Sequence, residues 1–78
     1  MPMNNKMQEA IAATQQEVAV AAEQKLGRSL TEAERRGIQS IGSLMMLESC
    51  HQSFSSPAYT QAQVLADLEH FTRQAQRA

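Results

Sequence analysis

Met7, Ile11, Thr14, Val18 and Ala21 step along the chain by four, three, four and three residues. That spacing keeps all five on one face of a helix with about 3.6 residues per turn and on neither face of a strand. The stripe is narrow, closer to a coiled-coil seam than to the broad apolar face of a globular helix. Its surroundings are Ala, Gln and Glu, good helix formers, so propensity and periodicity agree on a first helix over about residues 3–26. Gly27 follows the last periodic residue, and Lys25 and Arg28 bring positive charge to the negative end of the helix dipole.

Thr31 and Glu34 have the spacing of a capping box, in which the hydroxyl and the carboxylate each accept from the other residue's backbone amide. A second helix is predicted from there over about 31–53. The short segment between the two is the length of an αα-hairpin connection. Ile38, Ile41 and Met45 again step by three and four, but the run Leu44, Met45, Met46, Leu47 covers the whole circumference at about 100° per residue. A helix that is apolar all round is normally buried on all sides. Gly37 and Gly42 lie within this segment, and each costs about 1 kcal/mol relative to Ala in a helix interior. Their presence points either to close backbone approach by another helix or to local distortion, and close packing is the preferred expectation.

Ser53-Phe54-Ser55-Ser56-Pro57 ends the helix, because Pro57 disfavours helical geometry at the residue before it and serines compete for backbone hydrogen bonds. Thr60 and Gln63 repeat the capping-box spacing, and Val64, Leu68, Phe71 and Ala75 follow at four, three and four. The third helix is predicted over about 60–76. No strand pattern or internal repeat of 20–50 residues is present. The expected fold is one all-α domain over residues 1–78: an αα-hairpin plus a third helix, assembled as a dimeric helical bundle.

The dimer is expected because the core is thin. Of 33 apolar residues 12 are alanine, and Phe54, Tyr59 and Phe71 are the only aromatics. Below about 80 residues a lone core rarely supplies more than ~3–5 kcal/mol. The all-round apolar segment is where a second copy or another protein would add to it. The residues expected at that interface are Ile38, Ile41, Leu44, Met45, Met46, Leu47, Phe54 and Tyr59.

A net charge of −1 gives no global field toward nucleic acid or an anionic membrane. Leu44 to Leu47 is the longest apolar run, far short of the ~20 residues of a spanning helix. One cysteine cannot make an intramolecular disulfide, and no signal-peptide pattern opens the chain, so a reducing cytoplasm is expected. The Gln- and Ala-rich composition with short capped helices suits a compact bacterial accessory protein.

Cys50 and His51 are adjacent, which invites nucleophilic or metal chemistry, but successive helical residues point about 100° apart and a closed zinc site needs two further ligands. The expected roles are structural: Cys50 as a small hydrophobe and His51 at a helix end. No carboxylate pair suggests acid/base work. Glu32 and Glu34 occupy a first helical turn, and Glu48 extends the Ile38, Ile41, Met45 stripe as an edge or a pairing residue. No catalytic residue, metal, cofactor or small-molecule substrate is expected.

Two functions remain. The first is a non-enzymatic protein-interaction module, a regulator, inhibitor, adaptor or chaperone, with Met45 and Met46 offering an adaptable surface to a helical target. The alternative is a dimeric DNA-binding regulator using the basic corner of Lys25, Arg28, Arg35 and Arg36 at the first interhelical turn. Glu32 and Glu34 share that corner, no aromatic residue is interleaved for base stacking, and the second helix turns apolar where a recognition helix needs polar side chains.

Overall fold

The computed structural model describes residues 2–77. It is helical throughout, with four helices where the periodicity predicts three: α1 Pro2–Leu26, α2 Glu32–Gln39, α3 Leu44–Ser55 and α4 Gln61–Arg77. The single helix expected over 31–53 is therefore two, parted at residues 40–43. Serines on both sides of Gly42 cap the two helix ends at the break. Ser40 closes α2, its amide donating to the Arg36 and Gly37 carbonyls and its hydroxyl donating to Gly37 O at 2.6 Å. Ser43 opens α3 as its N-cap, accepting from the Met46 amide at 3.3 Å. A side chain from α1 holds the break in place: Gln15 Nε2 donates to Gln39 O at 3.0 Å and to Ile41 O at 2.9 Å. Carbonyls that a continuous helix would have bonded internally thus find a partner.

The other helix ends follow the predicted chemistry. Gly27 takes the left-handed conformation, φ 70°, and its amide donates to Glu23 O at 2.8 Å. Thr31 and Glu34 form the reciprocal capping box of α2. At α4 the Thr60 amide donates to Gln63 Oε1 at 2.8 Å and the Gln63 amide to Thr60 Oγ1 at 3.1 Å.

α1 and α2 are antiparallel, so the hairpin expected with a helix over 31–53 is present only as far as Gln39. Glu23 reaches Arg35 at its closed end, and Gln15 reaches Gln39 at its open end. α3 then runs in the same direction as α1, with Thr14 and Glu17 alongside Glu48 and His51, and Ala21 and Lys25 alongside Phe54. The principal packing is α1 on α3 and α2 on α4. The second pairing explains Gly37. A Cβ there would sit 2.8 Å from Thr72 N and 3.0 Å from Phe71 C, so the α2 and α4 backbones nearly touch. Gly42 is different: nothing lies within 4 Å of its Cβ position, and it belongs to the break instead of to a close contact.

The core contains Val18, Ala22, Ile38, Leu47, Phe54, Val64 and Leu68, all essentially without solvent contact, with Ala19, Ala21, Leu30, Ile41 and Phe71 around them. The predicted seams of α1 and α4 supply much of it. The α1 seam, however, is covered only in its C-terminal part, since Met7 remains 55% exposed. Its 25 residues span about 37 Å, close to the 40 Å longest dimension of the molecule. No helix among the described residues is long and apolar enough to cross a membrane.

Candidate interaction surface

Leu44 to Leu47 open α3 immediately after its N-cap, so the helical phase sends these four side chains in four directions. Leu47 enters the core and is fully buried. Leu44 is half-buried on the side of α3 that carries Glu48 and His51, facing α1. Met46 lies toward α4 and is 53% exposed, and Met45 points away from the bundle, 80% exposed. Within one chain, the segment that reads as apolar all round is covered on one side only.

Met46 borders a groove of about 220 Å³ between the α2–α3 break and α4, whose other walls include Ile41, Gly42, His70 and Phe71. The floor is fixed, because Ile41 and Phe71 belong to the core. The rim is adaptable: Met46 has an unbranched thioether side chain, and His70 is exposed with its Nε2 3.2 Å from Gln74 Nε2. The result is an apolar trough with polar groups at its edge.

The remaining residues expected at an interface are placed elsewhere. Ile38, Ile41 and Phe54 are buried inside the chain. Tyr59 is half-buried against the core, its ring centroid 6.0 Å from that of Phe54 and tilted by 37°. It closes the Pro57 end of the bundle, and its hydroxyl donates to Asp67 Oδ2 on α4. That bond, together with burial and the Asp67 charge, pushes the phenol up to about 12. Cys50 is half-buried nearby, and burial followed by the same charge raises its thiol. Both effects favour the protonated, unreactive forms. Among the described residues no three His, Cys, Asp or Glu side chains are grouped to share a metal ion.

The basic corner is engaged within the chain. Lys25 Nζ donates to Ser56 O at 2.6 Å, tying the end of α1 to the turn after α3. Arg28 makes a two-pronged contact with Glu34, 3.0 and 3.1 Å, and Arg35 and Arg36 donate to Glu23 and Glu32 at 2.9 and 2.7 Å. The Arg28 bond, ahead of the cost of burial, holds the Glu34 carboxyl below its usual range. Three carboxylates therefore offset the three arginines, and the corner fastens the α1–α2 turn.

Two positioning residues escape a reading of the sequence. Glu23 Oε2 accepts both the Leu30 amide and Arg35 Nη2, each at 2.9 Å, which orients the chain between α1 and α2. Gln15 does the same for the break between α2 and α3. Both partners lie too far along the chain for any short motif to show. Comparison of the chain with protein-family models, with curated proteins and with solved structures finds no match.

Proposed function

We propose that the protein is a small non-enzymatic interaction module, acting as a regulator, inhibitor, adaptor or chaperone by docking the start of α3 and its groove onto another protein. The observation that carries this reading is the exposure of Met45 and Met46, two long apolar side chains side by side on a helix start whose next residue, Leu47, is locked in the core. Burying a methionine is worth about 1.5–3 kcal/mol, so the pair offers a partner substantial stabilisation without any rearrangement of the fold. The trough beside Met46 suits the apolar face of a helix, recognised through side chains spaced by three and four residues. Partners of differing sequence are accommodated by the flexible methionines.

The test is site-specific photocrosslinking in cells that make the full chain. A photoreactive residue at position 45 should yield discrete adducts of defined mass, lost when Met46→Lys is added, while one at Ala13 on the exposed side of α1 should not. The same diffuse pattern from both positions would refute the reading.

A further inference from the structure

We propose that residues 40–43 are a hinge through which two copies of this chain exchange halves: α2 and α3 fuse into one helix over residues 32–55, and α3 and α4 of each copy pack on α1 and α2 of the other. The inference goes beyond the docking of α3 onto another protein and does not depend on it.

The two helices are nearly joined already. The Ser40 amide donates to Arg36 O at 3.0 Å and the Leu47 amide to Ser43 O at 3.0 Å, so the helical ladder of bonds to the fourth preceding residue reaches Ser40 from one side and resumes from Ser43 on the other. Ser40 is itself in the helical region, φ −77° and ψ −12°, whereas Ser43 is extended, φ −106° and ψ 117°. Only Ile41, Gly42 and Ser43 need turn for the two ladders to meet. None of the three is proline, and Gly42 is neither left-handed nor crowded, with nothing within 4 Å of its Cβ position. The side-chain pattern favours the same continuity. Ile38, Ile41 and Met45 keep helical spacing through the break, so a fused helix brings Met45, 80% exposed in the closed chain, onto the stripe of Ile38 and Ile41. In that helix the amides of residues 42–45 bond the carbonyls of 38–41, which replaces the Gln15 bonds to Gln39 O and Ile41 O and the Ser43 cap on Met46.

The hinge itself specifies the partner. α2 opposes α1 and α3 runs with it, so a fused helix carries α3 and α4 away from α1 and α2. Both principal pairings, α1 on α3 and α2 on α4, cross the hinge. So do the close approach of Gly37 to Thr72 and the Lys25 bond to Ser56 O. Opening therefore uncovers Val18, Ala22 and Ile38 on one half and Leu47, Phe54, Val64 and Leu68 on the other, the residues that form the core of the closed chain. The surface shaped to cover each half is the other half of the same sequence. A second opened copy supplies it with the contacts outside the hinge unchanged, and reciprocal exchange closes the assembly at two chains.

The test is to refold the full chain from urea at millimolar concentration and measure its mass by light scattering after size exclusion. A species of twice 8.6 kDa is expected. Gly42→Ala should raise the association constant roughly 30-fold, since two glycines per dimer are replaced in a helix interior. Gln15→Ala, which removes the donor that holds the hinge closed, should shift the mass the same way. Two glycines inserted after Gly42 lengthen the connection, keep both capped helices and should return the mass to that of one chain. Spin labels at Glu32→Cys and Ser55→Cys in a Cys50→Ser chain, diluted with unlabelled chain, read the path of the hinge. They should stand about 35 Å apart along a fused helix, against under about 20 Å in the closed chain, where both positions lie at the Lys25 end of α1 and at most two helix spacings separate them. A chain that stays monomeric in both its wild-type and Gly42→Ala forms would overturn the proposal. So would a dimer whose labels keep the short distance, because that dimer joins closed chains by their surfaces. Either failure leaves the docking of α3 onto another protein standing, since photocrosslinking from position 45 reads that separately.

Discussion

Replacing Gly37 by alanine should destabilise the protein even though alanine is the better helix former. In an unobstructed helix interior the exchange would gain about 1 kcal/mol. Here the new Cβ would lie 2.8 Å from Thr72 N, 3.0 Å from Phe71 C and 3.1 Å from Phe71 Cβ. Two of the three are backbone atoms, which cannot swing aside as a side-chain tip would. α2 and α4 must separate by several tenths of an ångström along the pairing that also seats Ile38, Leu68 and Phe71. Overpacking of this kind typically costs 1–3 kcal/mol, roughly. Because the shift loosens the contact of whole helices, we expect the upper part of that range and a net loss of about 1–2 kcal/mol. In thermal unfolding at fixed chain concentration that corresponds to a fall of roughly 5–15 °C for a domain of this size. Gly42→Ala is the internal control: its Cβ meets nothing within 4 Å and its φ is not left-handed, so it should be neutral or stabilising by up to about 1 kcal/mol. A Gly37→Ala protein as stable as the Gly42→Ala protein would refute the close backbone contact.

Gln15→Ala removes the donor shared by Gln39 O and Ile41 O; a loss of about 1–2 kcal/mol in urea unfolding is expected, at about 1 kcal/mol per hydrogen bond, and no loss would mean that the break closes itself. Glu34 has a carboxyl lowered by Arg28 and by the Thr31 cap. Its contribution is therefore present above its unfolded value, 4.5, and lost as pH falls through its lower folded value. Arg28→Met should flatten that acid limb of the pH–stability curve; an unchanged limb would dismiss the pair as its source. Tyr59, the only tyrosine, has a raised pKa, so the stability it confers is complete below 10 and declines toward about 12, where the folded phenol ionises. Ultraviolet titration of the folded chain should find phenolate forming near the upper value, and ionisation near 10 would refute the Asp67 bond.

The parts of the fold that could be read from the chain are those fixed over three or four residues. Gly27 ends α1, Thr31 with Glu34 starts α2 and Thr60 with Gln63 starts α4, because each signal is a side chain or a glycine acting on backbone in its own turn. The α2–α3 break was hidden by the opposite circumstance. Ile38, Ile41 and Met45 keep helical spacing straight through it, so periodicity alone continues the helix. The contrary signal was present in Ser40 and Ser43 on either side of Gly42, a cap for each neighbouring helix. Gln15, more than 20 residues away, adds the two hydrogen bonds that no local motif shows. Leu44 to Leu47 show the same limit: composition marks the run as surplus apolar surface, while only the register of α3 on α1 decides that Leu47 is spent on the core and Met45 is left outside.

The way the core is filled gives a last prediction. Ala19, Ala21 and Ala22 line α1 where it is buried, and Gly37 lines α2 where it closely meets α4, so small residues sit among the larger core side chains Val18, Ile38, Leu47, Phe54, Val64 and Leu68. Small residues bury little area each, at about 25 cal/mol per Å². Met7, Met45 and Met46, the bulkier candidates, all lie outside. If a second copy binds the folded form of such a chain, mass action stabilises it. For a dimer that unfolds to two chains, a tenfold rise in chain concentration adds about 1.4 kcal/mol per dimer, which raises the melting temperature by roughly 3–5 °C at this size. A melting temperature independent of concentration would mean that the core of the single chain suffices for the stability of the fold.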